Sequence, residues 1–519
     1  MTVISTNSVW QPSQVSRSGV NQARSESPPV ARLTASSIVK FGAQNSSSLL
    51  YSASGAAGPK EAERPRDVAG LLAANVLSDS AAGRFSGLGA ALLGQLAGES
   101  TGGKLDVSAG AGPAAMNGLA AAGSAMHGVG DDRIALTITT SSGTEVSLKL
   151  DSRPGGLAVQ MTSSGELSEA ERGALAGLAD AFQDAIDGFA KQPPQVRLEG
   201  LTKFDSSVLA SVDLRAVIKF KNEPGSTQTL EFKADAAKRE VSLSGPSGSA
   251  TVSVDTSKLA GLGSAERQAT AVGSYLKQFD QAAARGHGDA ALVSMFKEAF
   301  AGMHSNIGAA PSPGGFAASA VHLEAEDHAA MTGLADFSAA ITQTPDAVNP
   351  MRPAELDNFA YQVSQETSVG GRSQADRSIS QQQKSQLRAS YHTPSVPGAE
   401  LRLGRSAESQ NYNYHEIDDA ASSTVSVGYK DGLLVKAILQ QSSRQSARVL
   451  EYSMGKLTSD TTTPGRQQIE RDVLAALSPH EQSEGGLTDE KRRDERLQLL
   501  ASLSGQVLLQ AYPNGVSLG

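Results

Sequence analysis

Short runs of alternating apolar and polar residues recur twice in the middle of this chain, offset by 82 residues so that Arg133 matches Arg215. The first set is Ile134-Leu136-Ile138, Val146-Leu148-Leu150 and Val159-Met161; the second is Ala216-Ile218-Phe220, Gln228-Leu230-Phe232 and Val241-Leu243. Without a gap, Gly143 then matches Gly225, Leu148 matches Leu230 and Val159 matches Val241. Alternation gives each run one apolar face, the mark of a half-covered strand. Ser141-Ser142-Gly143 and Pro224-Gly225-Ser226 supply hairpin turns. A sheet with one apolar face must bury it, and each set is followed by an amphipathic helix, predicting β-β-β-α twice.

In the first unit Ser168-Glu169-Ala170-Glu171 is a capping box, and Leu175, Leu178, Phe182, Ile186 and Phe189 follow at helical spacing before Pro193-Pro194. In the second, an extra strand at Thr251 to Val254 precedes a helix opened by Ser264, with Val272, Tyr275, Leu276 and Phe279 inward. Two further helices are predicted, Asp289 to Met303 and Ala329 to Ile341.

Residues 362–410 are Ser- and Gln-rich, a linker by composition alone. Phe359-Tyr361-Val363, Leu387-Ala389-Tyr391, Tyr412-Tyr414, Val425-Val427-Tyr429 and Val449-Glu451-Ser453 nevertheless alternate as half-exposed antiparallel strands do. Lys430-Asp431-Gly432 is a hairpin turn leading into Leu433-Val435-Ala437-Leu439. Helices are predicted over Gln467 to Leu477 and Thr488 to Tyr512, the latter burying Leu500, Leu503, Val507 and Leu508. A third, diverged β-β-β-α unit is the corresponding expectation.

Ahead of the repeats, Asp67 to Leu96 predicts one or two short helices with a stripe of Val68, Leu71, Leu72, Val76, Leu92, Leu93 and Leu96. Residues 1–65, which carry the single tryptophan Trp10, are Ser-rich and without period, predicting a disordered arm. Glu26 is its first acid and Glu61 the next. This acid-poor, Ser/Thr/Asn/Gln-rich start resembles the unstructured export signals of bacterial type III secretion substrates. Val3-Ile4-Ser5-Thr6-Asn7-Ser8 is similar to the opening of flagellins, whose long coiled-coil heptads do not follow. The resemblance implies export without a cleavable leader.

The predicted organisation is α+β: a disordered N-terminal arm at 1–65, short helices and an Ala/Gly-rich connector at 66–130, and duplicated β-β-β-α modules at 131–200 and 201–345, the second with extra helices. A Gln/Ser-rich β region with C-terminal helices completes it at 356–519.

Composition narrows the chemistry. The 519 residues carry a net charge of −9 and no long basic run, so no nucleic-acid footprint is expected. Cysteine is absent, which excludes disulfides, thiolate metal sites and cysteine nucleophiles. No basic flank with an apolar core marks a signal peptide, and Val107 to Met126, Ala/Gly/Ser-built around Pro113, is too weakly apolar for a spanning helix. A soluble chain without membrane insertion is expected.

Gly98-Glu99-Ser100-Thr101-Gly102-Gly103-Lys104-Leu105 nearly matches a phosphate-binding loop, but Leu105 replaces the hydroxyl that holds magnesium and no buried strand is predicted before it. His287, His304, His322 and His328 cluster in sequence, and Glu324, Glu326 and Asp327 lie between the last two. Their spacing puts His322 and His328 on different helical faces, so a polar helix start is favoured over a metal site. Lys491-Arg492-Arg493-Asp494-Glu495-Arg496 predicts a solvated helix face. No catalytic, cofactor-binding or metal residue is assigned.

The resulting expectation is a non-enzymatic bacterial interaction or structural protein with a protein partner, associated with a flagellar or type III secretion apparatus. Strand addition to an exposed sheet edge is a mechanism open to it. The alternatives are a metal-dependent hydrolase using His322 and His328, and a cytoplasmic accessory protein.

Overall fold

The computed structural model describes residues 35–41, 49–52, 67–98, 104–111, 131–153, 155–220, 226–259, 261–308, 321–474, 489–503 and 505–511. It mixes helix and strand, and strands dominate. The chain order begins β1 (Ala35–Phe41), β2 (Leu49–Ser52), α1 (Val68–Asn75), α2 (Ala81–Phe85), α3 (Leu88–Gly98) and β3 (Lys104–Ala111). Next come β4 (Asp132–Thr140), β5 (Glu145–Arg153), β6 (Gly156–Ser163), α4 (Glu169–Gly177) and α5 (Ala179–Phe189). The middle comprises β7 (Leu209–Lys219), β8 (Thr227–Asp235), β9 (Lys238–Gly245), β10 (Gly248–Asp255), α6 (Ala265–Gly286), α7 (Ala290–His304), α8 (Ala325–Ala329) and β11 (Phe337–Gln343). Long strands follow: β12 (Asn358–Gly371), β13 (Arg377–Pro394), β14 (Tyr412–Lys430), β15 (Leu433–Ser453) and β16 (Lys456–Asp472), before α9 (Asp489–Leu503).

Among the described residues these strands make one 16-stranded sheet in the order β16-β15-β14-β13-β12-β11-β10-β9-β8-β7-β4-β5-β6-β3-β1-β2. Every neighbouring pair is antiparallel, so short turns suffice for most connections. Asp431 and Gly432 both have positive φ, 49° and 78°, the type I′ geometry expected of that turn. Met454 and Gly455, at 51° and 74°, repeat it between β15 and β16.

One face of the sheet can be followed through the hydrogen-bonded register. From Leu136 it runs through Leu214, Phe232, Val241, Val252, Ala339 and Val363, then Ser385, Ala421 and Ser443. Period-two alternation keeps all of these on one side. The helices cover that side: α1–α5 gather over the β3–β6 end, α6 and α7 over β9–β13, and α8 and α9 over β13–β15. The capping box at Ser168 and Glu171 forms as expected, and the helices expected from Ser264 and Asp289 start there with those side chains as N-caps.

Several expectations are corrected. A duplicated β-β-β-α module is not confirmed. The Leu148↔Met161 and Leu230↔Leu243 pairs do share the 82-residue offset. However, Leu136 pairs with Leu148 while Ala216 pairs with Leu230, a two-residue slip against the gapless match. A slip of two keeps every side chain on its face, so apolar alternation cannot detect it. The second stretch also has four strands before one long helix, where the first has three strands before two helices broken at Leu178.

Residues 104–111, expected in a connector, are β3, and 35–41 and 49–52, expected in a disordered arm, are β1 and β2. The remainder of 1–65, Trp10 included, lies outside the described residues, as do Pro224 and Gly225 and most of the expected connector. The helix expected over Ala329 to Ile341 is instead the end of α8 followed by β11, whose Phe337, Ala339 and Ile341 are buried alternately. The start of the helix expected at Gln467 to Leu477 belongs to β16, with Ile469 turned inward opposite Gln441. Helix α9 stops at Leu503, not Tyr512.

Candidate functional site

From β12 to β15 the covered face acquires polar side chains. Gln365, Gln381, Gln383 and Gln441 are buried there, and buried carboxamides must find partners. The Gln383 oxygen accepts from Tyr275 Oη at 2.8 Å and from the Leu509 amide at 3.0 Å, while its Nε2 donates to the Val507 carbonyl at 2.7 Å. Ser423 donates to that same carbonyl at 2.8 Å, Gln441 to the Gln506 carbonyl at 2.6 Å and Ser443 to the Ala511 carbonyl at 2.7 Å. Residues 505–511 thus cross β13, β14 and β15 as irregular backbone pinned by side chains. In the same way Gln381 accepts from the Thr332 amide at 2.8 Å, and Gln365 donates to the Leu334 carbonyl at 3.0 Å.

The acidic run between His322 and His328 forms an ion-pair knot. The Asp327 carboxylate accepts from Arg377 Nε at 2.9 Å, Tyr429 Oη at 2.7 Å and the Glu324 amide at 2.9 Å. The Arg377 guanidinium lies 3.7 Å above the Tyr429 ring, a cation–π contact. Glu326 meets both Arg377 and Arg496 at 3.5 Å. Burial, against the pull of Arg496, lifts the Glu326 carboxyl above its usual range. Burial and the Asp327 charge raise the Tyr429 phenol.

His328 is half-buried, which lowers its pKa, and His322 is exposed. His304 sits in the aromatic core, 4.2 Å from Phe300 and 5.1 Å from Phe337, and His287 stacks on Tyr391 at 3.8 Å. The four histidines are therefore dispersed. Among the described residues no group of three or more His, Asp or Glu side chains is placed to hold a metal. Lys104 and Leu105 lie on β3, while 99–103 are outside the described residues. In the Lys491–Arg496 run the expected solvated face fails at Arg496, whose side chain is only 12% exposed.

The opposite face carries the candidate site, a trough of about 840 Å³ crossing β10 to β16. Its floor is two cross-strand rows. One is Thr251, Ala340, Gln362, Gln386, Ala420, Arg444 and Arg466; the other is Ser338, Ser364, Lys384, Ser422, Ser442 and Gln468. Gln362 and Gln386 are hydrogen-bonded at 3.0 Å, and Ser422 and Ser442 at 2.9 Å. Lys384, Arg444 and Arg466 line the trough, and no carboxylate does among the described residues. Arg444 is 3.6 Å from Asp418 outside the lining, while Lys384 and Arg466 have no ion-pair partner among the described residues.

Further along the same face, Tyr412 and Tyr452 donate to Glu355 at 2.6 and 2.8 Å, and His392 bridges Glu355 and Asp357. Burial and the Glu355 bond push the Tyr452 phenol up to about 12. This cluster fastens the chain before β12 onto β13–β15. The edge strand β16 contains Pro464 and Gly465, and Arg448 grips Asp460 on it at 2.7 and 2.8 Å. Proline and charge blunt an edge against strand addition.

Alternation marks β10 and β12–β15 of this site, whereas β11 and the Gln467 end of β16 were expected as helix and the trough was not expected. Its signal is the run of Ser and Gln at the polar positions of the alternation. No helix among the described residues is long and apolar enough to cross a membrane. No family model matches the chain, and neither a curated protein nor a solved structure matches it.

Proposed function

We propose that this chain is a non-enzymatic bacterial binding protein that takes a protein partner on the polar face of its sheet. The observation that carries the proposal is the trough across β10 to β16, concave, polar and lined by cations in a chain of net charge −9. The blunted β16 edge favours this face over strand addition. Export through a flagellar or type III apparatus is supported by the resemblance at residues 3–8. Descent of 133–161 and 215–243 from one duplicated unit is supported by their shared second-hairpin register.

The chain is free of cysteine, so Ser442→Cys introduces a unique thiol in the trough. Proteins associating with the unlabelled variant in its own cells and medium should be lost when that thiol carries a bulky maleimide. Identical associated proteins with and without the label would refute the reading. Deleting residues 2–34 should abolish appearance in the medium; unchanged export would remove the secretion part alone.

A further inference from the structure

We propose that the trough binds an extended, acidic polypeptide segment, with Ser and Gln side chains holding its main chain and Lys384, Arg444 and Arg466 its carboxylates. The inference rests on the binding reading above and specifies its partner.

The molecule supplies its own precedent. On the covered face, residues 505–511 are held across β13–β15 by Gln383, Ser423, Gln441 and Ser443, each bonded to a backbone group of the crossing segment. The same strands present Gln386, Ser422 and Ser442 on the trough side, with Gln362 and Gln468 on their neighbours. A carboxamide offers one donor set and one acceptor, the complement of a peptide group. What one face does with its own chain, the other is equipped to do with a second one.

Size and charge agree. Six interstrand steps of about 4.8 Å give a length of about 29 Å, room for an extended segment of roughly eight or nine residues at about 3.4 Å each. The cations lie on β13, β15 and β16, with Arg444 directly opposite Arg466 in the register. Guanidinium and ammonium groups bond carboxylates strongly, and arginine does so with two parallel bonds. Neutral hydroxyls and amides between them suit main chain and small polar side chains, not large apolar anchors. Such an interface depends on ionic strength, because exposed charges are screened by salt.

The test uses the full chain and a fluorescein-labelled peptide of repeating glutamate, serine and glycine, followed by anisotropy. Controls are the same peptide with lysine for glutamate and a polygalacturonate chain. The glutamate peptide should bind, the lysine peptide should not, and added salt should weaken binding. The triple variant K384E/R444E/R466E should lose roughly tenfold or more in affinity, as charge reversal at a complementary interface does. Its thermal unfolding should match the wild type, since all three side chains are exposed.

Equal binding by wild type and variant overturns the proposal, as does absence of glutamate-peptide binding. Polygalacturonate binding without peptide binding also overturns it, replacing the ligand class. Self-association that the triple variant abolishes would make a second copy of the chain the occupant, and again overturn it. In each of these outcomes the maleimide experiment still decides independently whether the trough is a binding face.

Discussion

Strands β3–β11 and β12–β15 continue one sheet with one hydrogen-bonding pattern, yet they fill its covered side differently. In the first region the register passes through Leu136, Leu214, Phe232, Val241 and Val252, and the helices meet it with Phe182, Phe279, Phe296 and Phe300. In the second it passes through Gln365, Gln383, Ser423 and Gln441, which bond the segments laid over them. Apolar burial is strong but indifferent to small shifts. A hydrogen bond adds only about 1 kcal/mol net, but leaving a buried group unpaired costs more. The first region is held mainly by area; the second adds matching to its own apolar cluster of Ile379, Val425, Val427, Leu439, Leu500 and Leu503, and its ionic and polar groups decide which segment lies where.

The largest effect should come from the second region's ion-pair knot. Arg377→Met leaves Asp327 buried opposite nothing cationic and should cost about 4 kcal/mol, the usual result of removing one member of a buried pair. Denaturant unfolding measures it. A loss under about 1 kcal/mol would mean that Tyr429 and the Glu324 amide suffice for Asp327.

In the first region Leu148→Ala and Leu230→Ala should each cost about 3 kcal/mol, because both side chains are buried, at 0% and 2% exposure. The two losses should add in the double variant, since β4 and β7 separate the strands that carry them. A much smaller loss at either would show that its strand packs loosely.

Acid should attack the first region through His304. Burial and the nearby Arg239 charge depress this imidazole to about 4, from about 6.5 when free. Between those values the unfolded chain binds the extra proton, so the contribution is complete above pH 6.5 and is lost as pH falls toward 4. At about 1.4 kcal/mol per unit the loss is about 3 kcal/mol. His304→Phe should flatten this part of the stability–pH curve while the Arg377 variant keeps it. The same slope in both would move the acid sensitivity elsewhere.

These regions were not equally legible in the sequence. Alternation located most of the apolar strands, and the helix starts at Ser168, Ser264 and Asp289 were legible too, because both signals are local. Register was not legible: a two-residue slip at β7–β8 changes no face. Nor was the difference between β11 and a helix, since Phe337, Ala339 and Ile341 sit among other apolar residues that also satisfy a helical period. The long strands were read as short ones because their buried positions hold Gln381, Gln383 and Ser423, whose partners are distant in sequence. Of the candidate site, composition revealed Ser and Gln in abundance but not which face each would occupy. Arg496 was misread for the same reason: its partner Glu326 lies far back along the chain.

The smallest effects make the sharpest comparison, because Gln383 and Gln386 lie three residues apart on one strand and on opposite faces. Gln383→Ala removes the acceptor for Tyr275 and for the Leu509 amide and the donor for the Val507 carbonyl. It should cost about 2 kcal/mol, since buried groups are left without partners. It should also raise hydrogen exchange at the Leu509 amide, the group it frees. Gln386→Ala, on the trough side, should stay within about 0.5 kcal/mol of wild type, yet weaken the glutamate peptide even at high salt, where the cations are screened. If instead both substitutions destabilise equally, the trough glutamines are structural. The two faces would then differ only in charge, and Lys384, Arg444 and Arg466 alone would account for peptide binding.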